Sequence, residues 1–217
     1  MNMIFLGPPG IGKGTQAEVV SRKYGIPRIS TGEIMREEVK RGTELGKEVK
    51  GYMARGELVP DELVMDITKK RVMEGDCERG FVLDGVPRTV RQAEELGRVT
   101  KIDIVLNLVT SEKVILERMA GRLTCRKCGA VYHKKSIPPK REGVCDRCRG
   151  ELYQREDQSE KVVEKRLEMY EKETKPLVEY YKKKGILIEV NAEGGKEDVV
   201  KRTEKVIQDF LKSRERD

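Results

Sequence analysis

Gly7-Pro8-Pro9-Gly10-Ile11-Gly12-Lys13-Gly14-Thr15 follows the apolar run Met3–Leu6 and precedes a segment of helical character, Thr15 to Tyr24. A short apolar run reads as a buried strand, so these residues form the loop of a strand–loop–helix unit, the setting that a phosphate-binding P-loop requires. Glycines let backbone N–H groups turn inward around phosphate oxygens with no Cβ in the way. The helix N-terminus adds partial positive charge, and Lys13 adds a full one. The generic motif places Ser or Thr directly after the lysine. Here Gly14 intervenes before Thr15, which leaves the metal-hydroxyl role of that position open.

Further short apolar runs lie at Ile26–Ile29, Phe81–Leu83, Ile102–Leu108 and Ile186–Val190. They alternate with stretches of helical spacing, as in Val162, Leu167 and Tyr170. Strand–helix alternation predicts a parallel sheet with helices on both faces. Ligands on such sheets sit at the carboxyl ends of the strands, so Ser30 to Arg36 and Asp84 to Arg88 are expected to converge on the loop. From Arg122 to Gln158 helix-length periodicity is absent, and Gly, Pro, Cys and basic residues dominate. That segment reads as a small insertion with few core groups of its own: Val131, Tyr132, Ile137, Val144, Leu152 and Tyr153. Pro176 is expected to kink or divide the helical stretch around it. The charged end, Lys212 to Asp217, is expected to fray.

At 217 residues the chain can build one core with a small inserted lobe. Charged residues make up 38% of it and aromatics 5%, with no Trp, so few rings are available for base stacking. A net charge of +7 fits anionic ligands, and it also fits lysine-rich helix faces that are simply solvated. Glu164 with Lys165 and Glu168 with Lys172 are candidate ion pairs on such faces. No run of about 18 apolar residues exists, so no membrane span is expected. The N-terminus lacks the basic and apolar regions of a signal peptide. Five cysteines without such a signal favour a reducing compartment, and hence the cytoplasm, with metal binding ahead of disulfides.

Cys125-x-x-Cys128 and Cys145-x-x-Cys148 stand 16 residues apart, a spacing that can close a tetrahedral four-thiolate zinc site. Four cysteines fill every position of such a site, so the metal is expected to be structural. His133, the only histidine, reads as a hydrogen-bonding residue of the insertion, and Cys77 as an ordinary thiol. Asp84 ends the run Phe81–Leu83, where a carboxylate can hold Mg²⁺ beside phosphates. Arg36, Arg88, Arg118, Arg122, Arg155 and Arg166 lie near predicted strand ends or insertion edges. Phosphoryl transfer needs planar donors around the migrating group, but spacing alone does not separate these arginines from the others.

With residues 7–15, Ile29-Ser30-Thr31-Gly32-Glu33, Gly56-Glu57-Leu58-Val59-Pro60-Asp61 and Phe81-Val82-Leu83-Asp84-Gly85-Val86-Pro87-Arg88-Thr89 in order, the chain resembles the adenylate kinases. Gly121-Arg122, Leu152-Tyr153-Gln154-Arg155 and Lys165-Arg166-Leu167 extend the resemblance over essentially the whole chain. It implies a P-loop NTPase-type parallel α/β sheet with helices on both faces, built from residues 1–30, 60–121 and 159–217. It also implies an AMP-binding helical lobe at 31–59 and a zinc-bearing lid at 122–158. The implied reaction is ATP + AMP ⇌ 2 ADP with Mg²⁺, carried out by a monomer. Gly10, Gly12, Lys13, Gly14, Thr15, Arg118 and Arg122 would bind ATP. Thr31, Arg36, Leu58, Val59, Gly85, Arg88, Gln92, Arg155 and Arg166 would bind AMP, Gln92 at the adenine edge. Lys13, Arg88, Arg122, Arg155 and Arg166 would hold the migrating phosphoryl, and Asp84 would organise magnesium waters. Cys125, Cys128, Cys145 and Cys148 would hold one zinc.

Gly14-Thr15 is normal in that family. Glu33 replaces its usual Asp, and Gln158 stands where a second acidic residue is common, beside Asp157, which matches a lid carboxylate. The segment Arg91 to Ile102 is shorter than in many relatives and reads as a connector. Two other readings remain at this level. One is a kinase for GMP, UMP or CMP, against which Thr31 and Gln92 argue. The other is a zinc-ribbon nucleic-acid-binding protein that uses ATP as a switch, against which the scarcity of lid aromatics argues.

Overall fold

The computed structural model describes residues 1–155 and 158–214. The chain opens with β1 (Asn2–Leu6), α1 (Lys13–Tyr24) and β2 (Arg28–Ser30). The helices α2 (Thr31–Arg41), α3 (Glu44–Arg55) and α4 (Asp61–Val72) follow. β3 (Phe81–Asp84), α5 (Val90–Val99), β4 (Ile104–Val109) and α6 (Glu112–Ala120) come next. The insertion contributes β5 (Arg122–Cys125), β6 (Val131–His133) and β7 (Leu152–Tyr153). The chain returns through α7 (Glu160–Met169), α8 (Pro176–Lys183), β8 (Leu187–Asn191) and α9 (Lys196–Arg214).

The main sheet has the order β2-β3-β1-β4-β8 and is parallel throughout. Its strands are apolar on both faces because helices cover both. Alternation assigns the sides. Ile4, Leu6, Leu83 and Val105 pack with Met65 of α4, Leu96 of α5 and Leu177 of α8. Met3, Phe5, Val82 and Ile104 pack with Ala17 and Val20 of α1 and Val199 and Ile207 of α9. β2 begins at Arg28, two residues past the expected Ile26, because Pro27 has no N–H to give a ladder.

The register places the loops. Phe5 and Ser30 both pair with Asp84, and Leu6 pairs with Asn107, so β1, β2, β3 and β4 end at nearly one level. β1 lies between β3 and β4, and the P-loop therefore opens at the point where crossovers diverge. α1 starts at Lys13 rather than at Thr15, with Gly12 capping it in a left-handed conformation, φ 107°. A side chain at that φ would be strained. The lysine is thus the first helical residue.

β5, β6 and β7 form a separate antiparallel sheet in the order β6-β5-β7. Its small core is Cys125, Ala130, Tyr132, Cys145 and Leu152. Val131 belongs to the outside, 39% exposed, because it alternates with the buried Tyr132. Pro176 opens α8, and a wider π turn at Tyr170–Thr174 separates it from α7. That turn changes the angular spacing of side chains, so Lys172 meets Glu173 at 3.6 Å instead of Glu168. Glu168 pairs with Lys165 at 2.9 Å. Glu164 and Lys165, adjacent on the regular α7, do not face one another.

The segment read as a connector is helix α5, whose first turn carries the buried Gln92. The charged end stays helical to Arg214 rather than fraying from Lys212. Residues 215–217, and Asp157, lie outside the described residues. No helix among the described residues is long and apolar enough to cross a membrane.

Candidate active site

Lys13 sits at the centre. Its Nζ donates to the carbonyls of Gly7 at 2.7 Å and Pro8 at 2.9 Å, so the loop curls around the ammonium. Loss of hydration by burial pulls its pKa from 10.5 down to about 7; Asp84 opposes this, while Arg88, Arg166 and Arg122 reinforce it. The electrostatics thus bring together on Lys13 four side chains from three distant parts of the chain: Asp84 with Arg88, Arg122 and Arg166. Gly14 follows the lysine for a steric reason. A Cβ there would lie 3.0 Å from Asp84 Oδ2 and 3.1 Å from Arg28 Nη2.

Arg28 is a site residue that no sequence spacing marks. Its Nη2 donates to Asp84 Oδ2 at 2.9 Å and to Glu33 Oε1 at 2.5 Å. Glu33 meets Arg28 from the first turn of α2, where an aspartate would be one methylene shorter. Burial works against the Arg28 charge, and Asp84 and Glu33 more than offset it, raising the guanidinium pKa above its ordinary value.

Two depressions open around this centre, the larger of them lined by Lys13. The larger is a cleft of about 370 Å³, within the range of small-ligand sites. It is lined by Gly10, Gly12, Lys13, Gly14 and Thr15 of the loop, by Asp84, and by Arg118, Arg122, Arg155 and Arg166. Residues of the small sheet, Ala130 to His133, form its other wall. The smaller pocket is lined by Thr31, Arg36, Leu58, Val59, Gly85, Arg88, Gln92 and Arg166. Gly85, Arg88 and Arg166 border both, so the two depressions meet next to Lys13. Arg155, expected with the AMP group, lies on the cleft and not in the smaller pocket. Arg118 donates to the backbone carbonyls of Ile11, Ala192 and Gly194 at 2.7–3.0 Å, which makes it part of the cleft wall. Gln158 is buried, and its amide has no hydrogen-bond partner among the described residues.

The four thiols of Cys125, Cys128, Cys145 and Cys148 lie within 4.8 Å of one another. Cys125 and Cys148 are 3.5 Å apart, and Cys128 and Cys145 3.6 Å. Tetrahedral thiolates about 2.3 Å from a metal would stand about 3.8 Å apart, so the cluster could hold one ion. Burial works against a thiolate at Cys145, but hydrogen bonds from Tyr132 and from the Cys148 and Arg147 backbones prevail and lower its pKa to about 6. His133 is no ligand. Its Nδ1 accepts from the Lys135 and Ser136 amides at 3.1 and 3.0 Å, and Nε2 faces the Glu117 carbonyl at 3.1 Å. Cys77 packs in the main core, with Arg71 donating to its sulfur at 3.0 Å. The cysteine cluster is tied to the main-sheet part of the chain by Arg147, which meets Glu18 of α1 at 3.0 Å.

The adenylate kinase family model matches residues 5–186. An adenylate kinase of Archaeoglobus fulgidus is 54% identical over 213 residues, covering 96% of this chain and 98% of that protein. An adenylate kinase of Caldicellulosiruptor saccharolyticus is 54% identical with the same coverage. One from Clostridium tetani is 50% identical over 212 residues, covering 95% and 98%.

Proposed function

The chain belongs to the adenylate kinase family, and from that premise we propose how its residues divide the transfer of the terminal phosphoryl of MgATP to AMP. The cleft takes ATP, with the loop amides and Lys13 on its phosphates. The smaller pocket takes AMP, with Thr31, Arg36 and Arg88 toward the phosphate side and Gln92 toward the base. Arg88, Arg122, Arg155 and Arg166 surround the group in flight. Such a group carries charge on its equatorial oxygens and demands positioning and electrostatic stabilisation more than covalent chemistry. The observation that carries this reading is the meeting of the two depressions at Gly85, Arg88 and Arg166, with Lys13 on the wall of the larger.

Asp84 would organise the magnesium waters; in support, Arg28 engages one of its two oxygens and Asp84 lines the cleft beside the loop. Mg²⁺, when bound, neutralises phosphate charge. The four thiolates hold one zinc, which leaves no position for water and makes the ion structural. Residues 1–30, 60–121 and 159–217 serve as the core, 31–59 as the AMP lobe and 122–158 as the lid. We read the protein as a cytoplasmic monomer with no nucleic-acid role. In support, Tyr132 is buried, and Tyr153 lies under the Arg126 guanidinium at 4.0 Å, so the lid offers no open stacking platform.

Transfer requires exclusion of water, which competes for the phosphoryl group, so both lobes close when both nucleotides are bound. Hydrogen exchange in the presence of two adenosines joined through a phosphate chain checks this. Amides in 31–59 and in the lid are expected to gain protection together. Unchanged exchange in both segments contradicts the two-site arrangement.

A further inference from the structure

We infer that Asp61 is a positioning residue for acceptor selectivity: it fixes which way the Gln92 amide points, and that orientation selects adenine over bases with the opposite hydrogen-bonding edge. The inference rests on the reading that the smaller pocket holds AMP with its base at Gln92.

Gln92 is buried in the first turn of α5, where its N–H donates to the Thr89 hydroxyl at 3.1 Å. Its side chain is held at both ends. Oε1 accepts from the Arg88 amide at 2.7 Å, and Nε2 donates to Asp61 Oδ1 at 2.6 Å. The second oxygen of Asp61 accepts from the Thr89 hydroxyl at 3.0 Å, so the carboxylate itself is anchored.

The two ends of a glutamine amide are nearly equal in shape, and only their partners decide the orientation. Both partners here are one-way groups. A backbone N–H can only donate, and a carboxylate can only accept. Turning the amide over would set Nε2 against the Arg88 N–H and Oε1 against the Asp61 carboxylate. Two hydrogen bonds would be lost and two like-polarity contacts made in a buried place.

Each amide atom retains one further capacity: the second hydrogen on Nε2 and the second lone pair on Oε1. With the orientation locked, Gln92 presents one donor beside one acceptor to the pocket it lines. The adenine edge, with N1 as acceptor and the 6-amino group as donor, complements that pair. Hypoxanthine and guanine carry a donor at N1 and an acceptor at O6, and they meet it donor to donor and acceptor to acceptor. Asp61 is also the first residue of α4, where any acidic residue favours the helix start. That ordinary role does not require a bond to Gln92.

Inosine monophosphate is the sharpest probe, because it reverses the base edge without adding the 2-amino group. Initial rates with AMP and with inosine monophosphate are compared for the parent, Asp61→Asn and Gln92→Ala. Asparagine can donate as well as accept, so one of the two locks becomes two-way. In Asp61→Asn the KM for AMP is expected to rise about tenfold. The ratio of kcat/KM for AMP to that for inosine monophosphate should fall about tenfold, with kcat for AMP and KM for MgATP changing less than twofold. A variant that loses melting temperature or affects both acceptors equally, with the ratio unchanged, overturns the inference and leaves Asp61 a helix-start residue. Gln92→Ala separates the two levels. If it keeps the parental ratio, the base reading of the pocket fails; if it loses the ratio while Asp61→Asn keeps it, the Asp61 inference alone fails. Should Asp61→Asn not fold, Asp61→Ser, which also donates and accepts, carries the same comparison.

Discussion

Lys13→Met is expected to lower turnover by about 10²–10⁴ while leaving the fold intact. The substitution roughly keeps the side-chain volume and removes the charge. Losing one preorganised donor from a water-excluded site typically reduces kcat by about 10²–10³, and here the donor is a full cation. The fold survives because the half-buried ammonium is held at a cost: its pKa is pulled to about 7 by loss of hydration and by the neighbouring arginines. Circular dichroism and initial rates at saturating MgATP and AMP check both halves. A variant within threefold of the parent contradicts the role of Lys13. The same shift gives a second readout. Phosphates favour the ammonium, so the pKa of Lys13 rises on binding. Between about pH 7 and the bound-state pKa, ATP binding therefore takes up protons and weakens as pH rises. Calorimetry at pH 8 in buffers of different ionisation heat measures that uptake, which should vanish in Lys13→Met. A pH-independent affinity with no proton exchange contradicts the assignment.

Cys128→Ser is expected to lower the melting temperature by roughly 6–12 °C while sparing low-temperature turnover. The lid core comprises Cys125, Ala130, Tyr132, Cys145 and Leu152, and three of these are sulfur-free. Such a core cannot offset the conformational entropy of ordering nearly forty residues. Structural zinc contributes about 10–16 kcal/mol in small domains, so one ligand in four is worth about 3 kcal/mol, and each kcal/mol shifts the melting point of a chain this size by about 2–4 °C. Metal analysis of reduced protein should find one zinc per chain. Finding none defeats the site. Complete loss of low-temperature activity in a folded variant defeats the claim that the metal is only structural.

The strands of the main sheet were legible because buried parallel strands are continuously apolar, and Met3–Leu6 and Phe81–Leu83 read that way directly. The loop and the cysteine pairs were legible because their chemistry fixes both residue type and spacing. The lid strands were not, since β6 and β7 are three and two residues long and too short to show alternation. Val131 looked like core for the same reason. Arg28 was hidden because its partners, Asp84 and Glu33, are brought to it by the register of β2 and β3 and by the turn into α2. Asp61 belongs to a motif that carries the resemblance, but its hold on Gln92 spans 31 residues and exists only once α4 and α5 pack. Arg155 is grouped by resemblance both with AMP and with the migrating phosphoryl, and no local pattern shows that packing sets it on the cleft. What stayed hidden in each case is tertiary: which of many arginines or carboxylates face one another is decided by packing, not by local pattern.

The division of the site into a donor cleft and an AMP pocket is decided by which monophosphate accepts the phosphoryl group. Purified protein is incubated with MgATP and, in turn, AMP, GMP, UMP and CMP, and the nucleotides are separated by chromatography. Conversion to ADP with AMP is expected, reversing when ADP is supplied and stopping when EDTA exceeds Mg²⁺. Turnover with GMP, UMP or CMP but not with AMP would contradict it.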